Sequence, residues 1–214
     1  MLDADAVCWF TDDVFPLAMF WDAMIASGIE INSLPAFAWM EVTDPENVTF
    51  PVLSRRWLTT LGYMFPEYFP YWFVDTWIKE VHELAFGQVL SVIQNLPVGG
   101  RRGVTRNMRD ADFWFRFFEA THPQRAQDAM RVSKEFGAEI ASERRDAITR
   151  AHHETFLLQL ESVPEDERLY GVGTETPTRR YLNLKTSAEK WLLDCNDVQA
   201  DGSAIRRKIA RVVE

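Results

Sequence analysis

Three aspartates carry the residue types most suited to chemistry in this chain of 214 residues. Asp12 and Asp13 stop a short apolar run, Ala6 to Phe10, so both carboxylates would stand at the C-terminal end of a buried strand. Carboxylate oxygens hold hard divalent cations, and a cation held there can offset the charge of a departing diphosphate. The same Asp-Asp pair also makes a turn and an N-cap for a following helix. Asp75 is different, a single carboxylate near the start of a helix, directly behind a loop containing Tyr63, Tyr68, Tyr71 and Trp72. Beside Trp72, Phe73 and Trp77 its pKa would rise, which suits a general base. It could equally cap its helix or pair with Lys79 four residues on. His82 lies two turns beyond Asp75, about 10 Å of helical rise away, and reads as a packed polar residue rather than a shared ligand. His152-His153-Glu154 offers a further metal-ligating set within a charged helix.

These residues depend on elements that the local sequence predicts. Val14, Leu17, Ala18, Trp21, Met24 and Ile25 recur at helical spacing, with Pro16 in the first turn and Gly28 at the end. Ala36 to Val42 reads as a strand, Asp44 to Asn47 as the turn after it, and Val48 to Leu53 as a hairpin return. Ser54 is placed to cap a short helix over Arg55 to Leu61, with Gly62 ending it. A second helix is expected from near Tyr71 to Phe86, closed by Gly87, then a strand over Gln88 to Leu96 and a mobile glycine-rich loop over Pro97 to Gly103. A widely buried helix follows from Asp110. A charged helical stretch then runs from Pro123 to about Leu160, broken near Gly137, with Met130, Phe136, Ile140, Ile148 and Phe156 as its apolar stripe. Short helices near 187 to 195 and 203 to 213 complete the chain.

The bulk composition narrows the function classes. A hydrophobic fraction of 47% supplies a full core, and the 15 Phe and 8 Trp cluster in the first 120 residues. A formal net charge of -9 argues against a nucleic-acid binder, and Arg101, Arg102 and Arg106 read as solvated surface. Cys8 and Cys195 are too far apart in sequence for a Cys-x-x-Cys zinc or redox motif. The absence of a signal peptide and of a long apolar run predicts a cytoplasmic protein without a membrane span, which makes the Asn47-Val48-Thr49 sequon incidental.

Trp9-Phe10-Thr11-Asp12-Asp13-Val14 followed by Trp21-Asp22, then a strand, then Arg56-Trp57-Leu58 with Leu61-Gly62-Tyr63, then Pro70-Tyr71-Trp72-Phe73-Val74-Asp75-Thr76-Trp77, resembles the C-terminal half of family 2 glycosyltransferases with the GT-A fold. The resemblance runs over about residues 5 to 120 and is strongest from 52 to 82. It implies an α/β fold: a partial GT-A, Rossmann-like core of a few strands over 1–122, with flanking helices, and a mainly helical extension over 123–214. It also implies metal-dependent, inverting transfer of a sugar from a nucleotide-sugar donor to a sugar-containing acceptor, with Mn or Mg as cofactor. Carried over, Asp13 is the metal ligand, Asp12 lies near the donor ribose or diphosphate, Asp75 is the base, and Tyr68 and Trp72 stack on the acceptor. Thr11 stands where the family's D-x-D motif has its first aspartate, and Val98-Gly99-Gly100 stands where many members carry a further histidine ligand. The family's nucleotide-binding β-α-β half has no counterpart before Asp12, so a separate N-terminal half, or a homodimer covering the exposed strand edge, is expected as partner. The alternative expectations are a catalytically inactive glycosyltransferase-like binding or scaffold protein, and an unrelated α/β module that holds partners through its charged helix.

Overall fold

A computed structural model describes residues 6–8, 14–16, 19–20, 22–23, 25–27, 36–40, 48–66, 69, 73–87, 98–100, 111–162 and 185–190. In chain order these hold β1 (Ala6–Cys8), β2 (Val14–Pro16), β3 (Ala36–Met40), β4 (Val48–Ser54), α1 (Arg55–Leu61), α2 (Val74–Phe86), β5 (Val98–Gly100), α3 (Ala111–Ala120), α4 (His122–Phe136) and α5 (Ser142–Ser162). The described residues are mostly helical, with small antiparallel sheets, so the class is α/β only in a coarse sense. None of the described helices is long and apolar enough to cross a membrane.

The chain divides into two compact units that interleave along the sequence. The first takes Met1–Phe65, Asp75–Gly103 and Asp128–Ile148; the second takes Pro66–Val74, Val104–Gln127 and Thr149–Glu214.

In the first unit, β4 lies between β1 and β3, antiparallel to both, with Ala6 opposite Ser54 and Ala36 opposite Leu53. The register slips between Ala38 and Trp39, which pair with Pro51 and Thr49. The bulge falls beside a proline that cannot donate to a ladder, and β1 pairs only with Val52 to Ser54, so β4 tolerates Pro51. Two sequence expectations fail here. Val14–Pro16 is not the first turn of a helix but strand β2, antiparallel to β5, and Val98–Gly100 is that partner strand rather than loop. In a two-stranded ribbon each residue has one free edge, so Pro16 can end a strand without breaking it. Among the described residues of this region, helix appears from Asp22 onward.

The helix predicted over Arg55 to Leu61 forms with the expected ends. The Trp57 backbone N–H donates to Ser54 Oγ at 3.2 Å, and Gly62, at φ 79°, sends its N–H to the Leu58 carbonyl. Helix α2 starts later than expected, at Val74, because Phe73 has a φ of 76° and cannot be part of a right-handed helix. At its other end the Gly87 N–H donates to the Glu83 carbonyl at 2.8 Å, and Arg144 Nε and Nη2 donate to the Gly87 carbonyl at 3.2 and 3.0 Å. That puts a guanidinium on the negative end of the helix. Trp57, Leu61, Trp77, Ile78, Val81 and Val132 are among the side chains that fill the core of this unit.

The second unit is built on rings. Phe69, Phe73, Phe117, Phe118 and Phe156 are buried; Phe73 stacks on Phe118 at 4.6 Å and Phe69 meets Phe117 edge-on at 5.4 Å. Such pairs add about 0.5–1.5 kcal/mol each beyond their burial. The short α3 is therefore buried widely, as its sequence predicts.

The two ends of α1 give a direct test. Ser54→Ala should cost about 1 kcal/mol through the lost cap, and Gly62→Ala about 1–2 kcal/mol because only glycine rests easily at that φ. Urea unfolding should show a lower midpoint with an unchanged slope for each variant.

Candidate functional site

Asp75 lies in the first turn of α2 and is half-buried. Desolvation raises its carboxyl pKa, against the lowering effect of hydrogen bonds from Thr76 and from its own backbone N–H. The Thr76 N–H donates to Oδ1 at 2.8 Å. Lys79, the alternative partner considered from sequence, pairs with Glu83 at 3.4 Å. Asp12, Asp13, Tyr68 and Trp72 lie outside the described residues. Among the described residues no three His, Cys, Asp or Glu side chains form a group that could hold a metal ion. Cys8, in β1, is no nucleophile at neutral pH, since burial pushes its thiol up to about 12.

The densest polar arrangement in the first unit lies elsewhere. Asp128, on α4, is 0% exposed. It accepts a hydrogen bond from the Tyr63 hydroxyl, and Arg131 Nη1 approaches its Oδ1 at 3.6 Å. Trp77 Nε1 in turn donates to Tyr63 Oη at 3.1 Å, and Arg131 Nη2 donates to the Thr60 carbonyl at the end of α1. One carboxylate thus joins α1, α2 and α4. In the same unit His82 is fully buried, stacked on Trp57 at 6.5 Å and packed on Phe86 at 4.8 Å, in keeping with its reading as a packed residue.

A second polar cluster lies in the other unit. Arg125 is buried; its Nη1 donates to the Phe118 carbonyl at 2.6 Å and Thr121 Oγ1 at 3.0 Å, and the guanidinium lies 3.8 Å from the centre of the Phe118 ring. His153 Nδ1 contacts Glu119 Oε1 at 2.8 Å. His122 opens α4, and burial together with Arg125, His152 and His153 holds its imidazole down at about 4, with only Glu119 acting the other way.

Asp128 and Arg125 went unrecognised in the sequence because the stripe assigned to α4 was apolar. Met130, placed on that stripe, is 52% exposed. The buried face is instead Gln124, Arg125, Asp128, Ala129, Val132 and Ser133. Its spacing is helical, yet four of its six members are polar, so hydropathy alone points to the wrong side.

No protein family, curated protein or solved structure matches the chain.

Tyr63→Phe should destabilise the protein by roughly 1.5–3 kcal/mol, the range for a hydrogen bond to a charged group. In a double-mutant cycle with Asp128→Asn the two effects should fall well short of additive. Asp75 makes a pH prediction. Its pKa is raised in the folded state, so its stabilising contribution is full below the ordinary carboxyl value and is lost as pH rises through the raised value. Asp75→Asn should remove that slope from thermal unfolding followed across pH.

Proposed function

We propose that the chain is a glycosyltransferase of the GT-A kind, or the acceptor-side part of one, and that Asp75 is its base. Support comes from a single observation: a half-buried carboxylate in the first turn of a helix, with its pKa raised by desolvation, just after an aromatic-rich stretch of sequence. A base with a raised pKa is better matched to take a hydroxyl proton near neutrality. In this reading Asp75 takes the proton of an acceptor hydroxyl as its oxygen attacks the anomeric carbon. The bond to the nucleoside diphosphate breaks on the opposite side, inverting the configuration. Asp13 would hold Mn or Mg, Asp12 would lie near the donor diphosphate, and Tyr68 and Trp72 would flank the acceptor. The carboxylate and hydroxyl-bearing side chains of this set suit a hard cation and a diphosphate.

A second reading, a binding or scaffold protein without catalysis, is favoured by α5. Most of its described side chains are exposed, and they include Leu157 and Leu158, the latter 67% exposed.

Calorimetry with a panel of nucleotide-sugars and Mn, followed by a donor-hydrolysis assay, separates the two. The enzyme reading expects binding that Asp13→Ala weakens, and turnover that falls about 10²- to 10⁴-fold in Asp75→Asn with donor affinity unchanged. Activity should rise with pH through the raised pKa of Asp75. No binding to any donor would sink it. The scaffold reading expects concentration-dependent self-association by sedimentation that Leu157→Glu with Leu158→Glu abolishes.

A further inference from the structure

Phe73 has a left-handed backbone, with a φ of 76°, two residues before the carboxylate of Asp75. We propose that Phe73 is a positioning residue for Asp75: its backbone, locked by its ring, makes α2 begin at Val74 and so keeps free the N–H groups that hold the carboxylate in place. Its part in turnover rests on the reading of Asp75 as the base; its part in placing the carboxylate does not.

In a right-handed helix each N–H bonds the carbonyl four residues back, so the first turn has donors to spare. With α2 starting at Val74, the N–H groups of Asp75 and Thr76 belong to that turn. Phe73 stands just before it and carries no side-chain oxygen to accept them. The Asp75 carboxylate accepts them instead: the Thr76 N–H donates to Oδ1 at 2.8 Å, and the Asp75 N–H bonds the carboxylate as well. A helix running on from Tyr71, as the sequence predicts, would remove both donors. The N–H of Asp75 would then bond the carbonyl of Tyr71, and that of Thr76 the carbonyl of Trp72. The carboxylate would be left to rotate.

Nothing in the local sequence forbids that longer helix, since Tyr71 to Asp75 contains neither glycine nor proline. What opposes it is the Phe73 ring. The ring is buried, stacked on Phe118 with centres 4.6 Å apart, edge-on to Phe115 at 4.9 Å and tilted against Phe69 at 5.5 Å. A bulky residue keeps a positive φ only where its surroundings impose it, and such outliers gather where a neighbouring group has to be held.

Phe73→Ala and Phe73→Gly both delete the ring, but only glycine takes the left-handed backbone without steric cost. The test follows the Asp75 carboxyl carbon and the Asp75 and Thr76 amide protons by NMR across pH in the full chain. In the wild type both amide protons should shift as the carboxyl titrates. Phe73→Gly should keep that coupled shift, whereas Phe73→Ala should lose it as the Cα shifts of residues 72 and 73 move to helical values. A role in packing alone would affect the two variants alike, so equal behaviour would overturn the proposal. Where either variant does not fold, the wild type decides: left-handed Cα and Cβ shifts at Phe73 together with the coupled amide shifts support it, and the lack of either refutes it. With a nucleotide-sugar that the calorimetric panel shows to bind, kcat of Phe73→Ala should fall about 10- to 10²-fold below that of Phe73→Gly at similar KM. Equal kcat would overturn the part in turnover. A wild type without turnover would sink the reading of Asp75 as the base, while the NMR outcome still judges Phe73.

Discussion

A carboxylate with no exposure to water must be matched by donors, and the first unit is organised around that requirement at Asp128. Desolvating an ion costs several kcal/mol unless partners replace its hydration. Tyr63 and Arg131 face the carboxylate, Trp77 holds the Tyr63 hydroxyl, and Arg131 also ties down the last turn of α1. Apolar packing among Trp57, Trp77 and Val132 would allow several arrangements of the three helices. The directional bonds to Asp128 favour one of them, since a slipped helix would leave a buried polar group unmatched.

The second unit meets the same demand with a cation. Arg125 is buried among aromatic rings, its charge spread over a carbonyl, a hydroxyl and a π face. Arginine tolerates such a setting better than lysine, because its planar group is weakly hydrated and stacks. Asp128 and Arg125 are neighbours on the inward face of α4. Arg125 belongs to the second unit and Asp128 to the first, and each is buried.

What could be read from the sequence divides along physical lines. Features set by one or two residues acting locally were legible: the Ser54 cap, the left-handed Gly62, the stop at Gly87, the break at Gly137 and the pairing of β3 with β4. Features set by distant partners were not. Val14–Pro16 has helical spacing, but its backbone is claimed by β5, which sequence could not pair with it across more than eighty residues. The polar inward face of α4 was hidden because hydropathy assigns Asp and Arg to water, whereas partners such as Tyr63 and Arg131 for the one, and the Phe118 carbonyl and ring for the other, make their burial tolerable. Of the proposed site, Asp75 was legible as a helix-start carboxylate with a raised pKa. The contact of His153 with Glu119 joins residues thirty-four apart in sequence and needed the fold to become visible.

Phe73 has a consequence of its own. A left-handed backbone at a non-glycine residue costs about 1–2 kcal/mol, and here that cost is met by ring contacts with Phe69, Phe115 and Phe118. The point at which α2 begins is thus decided by a side chain rather than by a backbone preference. Glycine at this position would relax the peptide and forfeit the ring; a smaller L-residue would keep the strain and lose what offsets it. The position is a ratchet in sequence space: most single replacements lead downhill in stability, so drift here should be slower than at the exposed residues of α5.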